Sequence, residues 1–440
     1  VTARTAAALP LGGIPLAPWS VGPVREDELD AVGALTAGAY LADGLLDGDD
    51  EYEAELRDAR SRWRDASLLV ARTDDGAVLG SLTVAPHGSP FAEVARPGEV
   101  ELRMLAVDPA ARGRGVAEEL VRAALVRAVL DRRAGVVLST LDSMLTAHRL
   151  YARLGFRPAP ERDWDADDGF VLRVHTWSPP PAPGAAVERA VWPPLRTTTT
   201  AAGWTVGLSE GLTRRANSAT PPPPADGVAG PDERDVATLL EGLDEVEAVY
   251  AAAALPTTVR VDGPLGAPTG PLSAALRARG YALRATTLVL VAALPAVPAT
   301  ALPPADGVTV TASPEPDDAW VRLWLAEKAD GDGRAADVGR RLLTGAPAAY
   351  LTAWRSGAAV GVLRVAPADG WAALACLVVD PQERRRGTAR RLVEAGLQHA
   401  AREGAARAFL QVEVENHAAR RLYARWGFLP ADAYHYAERP

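Results

Sequence analysis

Val107 to Leu120 reads VDPAARGRGVAEEL, and 272 residues later Val379 to Leu392 reads VDPQERRRGTARRL. Val, Asp, Pro, Arg, Gly, Ala and Leu recur at matching places. The same offset carries Leu150, Tyr151, Ala152, Arg153, Gly155 and Phe156 onto Leu422, Tyr423, Ala424, Arg425, Gly427 and Phe428. A register kept without a gap over some fifty residues is an internal duplication, and a repeat is settled before any other reading of a fold.

Working outward from the first copy, the segment from Val21 to Tyr40 has helical spacing at Leu29, Val32 and Leu35, and Tyr52 to Trp63 predicts a second helix. Strands are predicted at 68–72 and 78–84 around Asp75-Gly76, then at 100–107, 136–141 and 170–174, with helices at 117–130 and 147–154. From Asp317 the second copy repeats this plan, with helices at 317–327, 337–343, 388–402 and 418–425 among strands at 350–354, 360–365, 372–379, 408–414 and 434–438. The fold class is therefore α/β, a mixed sheet flanked by helices. Between the copies, helices are predicted at 232–254 and 272–279 and a strand at 283–292. LRARGY followed by that strand echoes LYARLGF, so this middle region reads as a degenerate version of the same half-fold. The expected division is an arm at 1–20, a first domain at 21–178, a linker and degenerate domain at 179–305, and a second intact domain at 306–440.

A length of 440 residues suits roughly two to four domains. With 48% apolar and 23% charged residues the composition is that of an ordinary globular protein, and a net charge of −9 disfavours nucleic acid or an anionic membrane as partner. All but one of the 47 basic residues are arginine, the exception being Lys328, so arginine carries less functional information than usual. Cys376 is the single cysteine; it excludes an intrachain disulfide, fits a reducing compartment, and on an apolar strand reads as core rather than as a covalent relay. The histidines show no metal-ligand spacing, no apolar run is long enough to span a membrane, and prolines and glycines from Pro10 to Pro18 break up any signal segment. The chain reads as cytoplasmic.

In both copies a strand runs into a glycine-bearing turn and then a helix. Arg112, Gly113, Arg114, Gly115, Val116 and Ala117 present backbone N–H groups at a helix start, as do Arg384, Arg385, Arg386, Gly387, Thr388 and Ala389. Such a turn suits a phosphate or pyrophosphate. The alternative is a helix start whose glycine serves packing, and the duplication of the whole constellation favours the anion. Neither stretch is a Gly-rich loop ending in Lys-Ser/Thr or a GxGxxG turn, which disfavours nucleotide hydrolysis and nicotinamide binding.

Arg-x-x-Gly-x-Ala after an apolar strand, with a Leu-Tyr-x-x-x-Gly-Phe helix end, resembles the GNAT superfamily of acyl-CoA-dependent N-acyltransferases. The motifs cover 100–157 and 372–428. Gly211 to Ser218 resembles GNAT proteins in which a degenerate domain precedes an intact one. The resemblance implies that both turns hold the pyrophosphate of acetyl-CoA as co-substrate. It further implies that Leu105, Ala106 and Val107, and Leu377, Val378 and Val379, lie along the pantetheine arm, where a backbone amide polarises the thioester carbonyl. Tyr151 and Tyr423 then match the tyrosine that protonates the departing thiolate, the other reading being a half-buried aromatic on an amphipathic helix.

The copies diverge elsewhere. Glu101 stands where several GNAT members carry a base, and its counterpart in the second copy is Ala373, which leaves Glu413 and Glu415 as substitutes or as a solvated pair. Asn416 matches the family's Asn-x-x-Ala-x-x-Leu-Tyr pattern, to hydrogen-bond CoA or cap the next helix, and the first copy has Met144 there. The expected activity is acetyl transfer by direct attack of a primary amine on a small molecule or peptide. The alternative is a non-catalytic acyl-CoA-binding or scaffold protein with one or both copies inactive. Acceptor and oligomeric state stay open.

Overall fold

In a computed structural model, which describes residues 19–46, 50–165, 171–222, 233–265, 270–294, 307–326 and 333–440, the two copies of the motif lie in different compact units that divide at Ser178 and Pro179. The expected arm lies outside the described residues as far as residue 18, as do residues 295–305 at the end of the expected degenerate domain.

The first unit holds β1 (Trp19–Pro23), α1 (Leu29–Ala42), α2 (Asp50–Arg57), α3 (Ala59–Asp65), β2 (Ser67–Thr73), β3 (Val78–Pro86), β4 (Glu99–Val107), α4 (Val116–Leu130), β5 (Gly135–Thr140), α5 (Leu145–Arg153), β6 (Arg157–Pro158), β7 (Trp164–Asp165) and β8 (Val171–Trp177). Its sheet runs β1-β2-β3-β4-β5-β8-β6, with β7 against β8, and only β4 and β5 are parallel. Two expectations are corrected. Residues 21–23 belong to a strand, and the helix starts only at Leu29, after the acidic residues have formed a single 3-10 turn. The helix expected at 52–63 breaks at Asp58, whose carboxylate accepts the Ser61 N–H at 3.0 Å and caps a new helix.

The second unit holds α6 (Gly184–Val191), β9 (Arg196–Thr199), β10 (Thr205–Leu208), β11 (Ala219–Thr220), α7 (Glu233–Ala252), β12 (Thr257–Asp262), α8 (Pro271–Ala278), β13 (Ala282–Ala293), β14 (Val308–Ser313), α9 (Asp318–Leu325), α10 (Gly333–Leu343), β15 (Ala349–Arg355), β16 (Ala358–Ala368), β17 (Trp371–Val379), α11 (Thr388–Arg402), β18 (Arg407–Glu413), α12 (His417–Ala424) and β19 (Leu429–Arg439). All its strands form one sheet, ordered β14-β15-β16-β17-β18-β13-β19-β12-β11-β10-β9.

That order contains an exchange. In the first unit the chain returns after α5 and lays β8 beside β5. In the second, the strand beside β18 is β13, the last of the middle region, while β19 goes on to pair with β13 and β12. The cores follow the strands. Val289 and Val291 of β13 pack with Trp320 and Phe409 of the C-terminal half, and Ala437 of β19 packs with Trp204 and Tyr250 of the middle region. At about 2 kcal/mol for each valine withdrawn from water, both halves draw stability from the other's strand. The expected division near residue 305 thus separates segments that share a sheet.

Candidate functional site

Parallel pairing between β4 and β5 ends at Leu102 and Leu138, and between β17 and β18 at Ala373 and Phe409. Beyond these points the strands have no further registered pairs. A bulge marks the opening in both units: Met104 has φ of 53° and Cys376 58°, each beside a register shift against the preceding strand. These residues stand one repeat apart. An extra residue at a bulge re-aims the backbone. Leu105, Ala106 and Val107, like Leu377, Val378 and Val379, therefore lie on a stretch paired on one side only.

The turn that follows is built identically twice. Asp108 accepts the Ala110 N–H at 2.7 Å and Asp380 the Gln382 N–H at 2.8 Å, each fixing one 3-10 turn behind the proline. The chain then passes through left-handed backbone at Gly113 and Gly115, and at Arg385 and Gly387, before α4 and α11 begin. A side chain at Gly115 would meet nothing within 4 Å, so this glycine serves the left-handed conformation, which Gly387 shares, rather than a contact. Packing falls instead to Gly80 and Gly361, opposite Val107 and Val379, where a Cβ would lie 2.8 Å from the Ala106 carbonyl and 3.0 Å from that of Val378. Amides from Gly113 to Glu118 and from Arg385 to Arg390 make no well-formed hydrogen bond to a backbone carbonyl among the described residues. Exposed amides at a helix start are what an anionic group requires. Arg112 and Arg114, and Arg384, Arg385 and Arg386, are exposed around them, whereas Val116 and Thr388 are buried and Ala117 and Ala389 half-buried.

The surroundings differ. Arg112 is held by Asp43 at 2.7 Å and Arg386 by Glu383 at 2.9 Å, while Arg114 and Arg385 have no carboxylate partner among the described residues. Glu101 is fully buried, and its Oε2 accepts the N–H groups of Glu93, Val94 and Ala95 at 2.8, 2.8 and 3.1 Å. Its Oε1 lacks a hydrogen bond and lies 3.6 Å from Arg103. Burial raises its pKa above the usual carboxylate range, against the pull of those amides and of Arg103. The carboxylate expected as a base thus ties the 93–95 loop to β4. Ala373 is its buried counterpart.

Tyr151 and Tyr423 are both buried, on α5 and α12, with Tyr151 tilted against Phe156 and Tyr423 packed edge-on to Phe428. Burial pushes the Tyr151 hydroxyl up to about 12 and raises Tyr423 as well, so both stay protonated at neutral pH, the form an acid needs. Asn416 caps α12 by accepting the Ala419 N–H at 3.0 Å, a bond that Met144 does not make for α5. Sequence reasoning passed over a cluster in the first unit, where His148 bonds Thr140 at 2.7 Å and stacks 5.4 Å from His175.

In the second unit the splayed strands open onto a cleft of about 800 Å³, lined by residues 374–378, Gln411, Glu413, Asn416 and Tyr423 and, from the middle region, by Trp192 and residues 211–215. The middle-region wall went unpredicted, although Gly211 to Ser218 was the stretch that stood out there. Trp192 is held from below by Arg364, a fully buried guanidinium that donates to the carbonyls of Val191, Leu343 and Ala346. Among the described residues no helix is long and apolar enough to cross a membrane, and no group of three His, Cys, Asp or Glu side chains could hold a metal ion.

The family described as "Acetyltransferase (GNAT) family" matches residues 39–156 and 315–428. Human N-acetylaspartate synthetase is 37% identical over 104 residues, which is 24% of this chain and 30% of that protein. An uncharacterized N-acetyltransferase of Schizosaccharomyces pombe is 36% identical over 90 residues, 20% of this chain and 51% of the other. The chain thus spans no more than about half the length of these relatives. Among solved structures, a GCN5-related N-acetyltransferase from Kribbella flavida aligns with 59% of this chain and 97% of its own, at 17% identity and a TM-score of 0.42.

Proposed function

The chain belongs to the acetyltransferase (GNAT) family, and from that premise we propose that it transfers an acetyl group from acetyl-CoA to a primary amine of a small molecule or peptide by direct attack. One observation carries the reading: in each unit a strand edge left open beyond a bulge leads into a turn of unbonded amides. A pantetheine arm is an amide-bearing chain that can pair with such an edge, and a pyrophosphate fits such a turn.

Acetyl-CoA would supply an activated thioester with a thiolate leaving group. Residues 113–117 and 385–389 would hold the pyrophosphate. An N–H among residues 105–107 or 377–379 would stabilise the charge that builds on the carbonyl oxygen. Tyr423 would give its proton to the leaving sulfur, a role that its burial supports. Glu413, exposed at the end of β18 and on the cleft, would take the amine's proton through water.

A second reading applies to the first unit. With Glu101 bound to three loop amides, that unit serves as an acyl-CoA-binding module, and transfer belongs to the second. Both readings meet one experiment, calorimetry with acetyl-CoA followed by thiol release across a panel of amines. Two binding events and turnover with some amine are expected. No binding at either turn would sink the proposal, and binding without turnover would leave a scaffold.

A further inference from the structure

The middle region contributes more than a strand to the second unit. Asn217, buried, accepts the N–H groups of Ser209 at 2.7 Å and Gly211 at 3.0 Å and donates to the Thr213 carbonyl at 2.7 Å. This clamp fixes residues 209–217 as one wall of the cleft. Of the two arginines it presents, Arg214 is paired with Glu438 at 2.7 Å. Arg215 has no carboxylate partner among the described residues; its guanidinium lies 5.6 Å from the Trp192 ring centroid.

The hydrogen-bonding balance of that wall is one-sided. The buried hydroxyl of Thr213 and the indole N–H of Trp192, a residue 5% exposed, border the cleft as donors without an acceptor among the described residues, and the half-buried Arg215 borders it beside them. Buried donors left unsatisfied cost free energy, so a group of this kind points to a ligand that supplies acceptors. Across from them stands the opposite deficit. Gln411 donates through Nε2 to Glu188 at 2.6 Å, and Glu188 is itself paired with Arg260, which fixes the amide's orientation. Gln411 Oε1 is then a buried acceptor with no donor.

We infer that the acceptor of this site is an amine that carries its own carboxylate, as an amino acid does. The carboxylate lies against Arg215 and Thr213, and an amine N–H meets Gln411 Oε1. A planar guanidinium recognises a carboxylate through two parallel bonds, which makes Arg215 the specificity-determining residue. The inference rests on the transfer reading for its chemistry but concerns binding, and the two fail separately.

The test uses the full chain saturated with CoA, with dissociation constants from ligand-observed NMR for L-alanine, L-leucine and L-phenylalanine against the primary amide of each. At least one acid should bind tenfold or more tightly than its amide. Arg215→Gln should collapse that preference to near unity, Arg215→Lys should retain part of it, and Thr213→Val should reduce it a few-fold. An unchanged thermal midpoint and retained amide binding show that a variant is folded. If all three acids bind no better than their amides, or if the folded Arg215→Gln keeps the preference, the inference is overturned. Replacing CoA by acetyl-CoA separates the two ideas. Acids that bind through Arg215 yet release no thiol sink the transfer reading alone, whereas equal thiol release from acids and amides sinks the subsite alone.

Discussion

Two copies of one turn, fixed by the same Asp cap and the same pair of left-handed residues, sit in different neighbourhoods. In the first unit the turn's leading arginine is engaged by Asp43, and the buried carboxylate of Glu101 on the motif strand holds a loop. The second turn adjoins an open cleft into which a third, motif-less segment projects side chains. The duplicated cradle is thus the part the copies share, and what faces it distinguishes them. Anion binding needs only backbone and tolerates divergence; amine selection needs particular side chains, and the proposed site takes them from elsewhere in the chain.

The comparison breaks most sharply at the turns. Arg112→Glu with Gly115→Glu should remove one acetyl-CoA site and leave the other, while Gly387→Glu should remove the second and abolish thiol release, as read by calorimetry and turnover. Loss of turnover in the first variant alone would reverse the assignment. Next in size, Tyr423→Phe should lower kcat by roughly 10²- to 10⁴-fold, the range for loss of a positioned acid, and Tyr151→Phe by less than tenfold. Equal losses would mean that both units catalyse.

A third prediction concerns stability at the exchanged strand. His435 of β19 is 2% exposed, its Nε2 3.1 Å from Ser273, and burial lowers its pKa from 6.5 to about 4. The unfolded chain therefore binds the extra proton more readily between these values. Stability present above pH 6.5 should be lost as pH falls toward 4, by roughly 3 kcal/mol in total. Thermal melts of wild type and His435→Gln across that window should differ in slope. The smallest effect falls to Glu101→Gln, which should cost about 1–3 kcal/mol in the first unit by weakening a buried acceptor of three amides. Turnover should be kept. Lost turnover with an unshifted melt would instead make Glu101 the base.

Much of this was legible because the motif is local. Val107 to Leu120 encodes its own cap, turn and helix start, so the sequence of those residues suffices to build the cradle. The bulges at Met104 and Cys376 were not visible: no residue type marks them, and only pairing with the preceding strand creates them. Asn416 could be read two ways, and the structure shows one of them, the cap on Ala419. Arg215 escaped notice for a different reason. It is more than 150 residues from the second turn, in a chain where arginine is common, and its lack of a carboxylate partner among the described residues is a property of space. The strand exchange was hidden likewise, since the alternation in β13 and β19 says that each has a buried face but not whose core it covers.

That exchange bears on how the molecule is made. The first unit draws its sheet from residues up to 177, so it can fold while the ribosome is still working. The middle region enjoys no such freedom. Its β12 can pair early with β11 but gains its second neighbour only when residues 434–439 have emerged, and β13 must wait for residues 407–413. For the time needed to synthesise well over a hundred residues, unpaired apolar strands await their partners, which makes the nascent chain's middle third its most aggregation-exposed stretch.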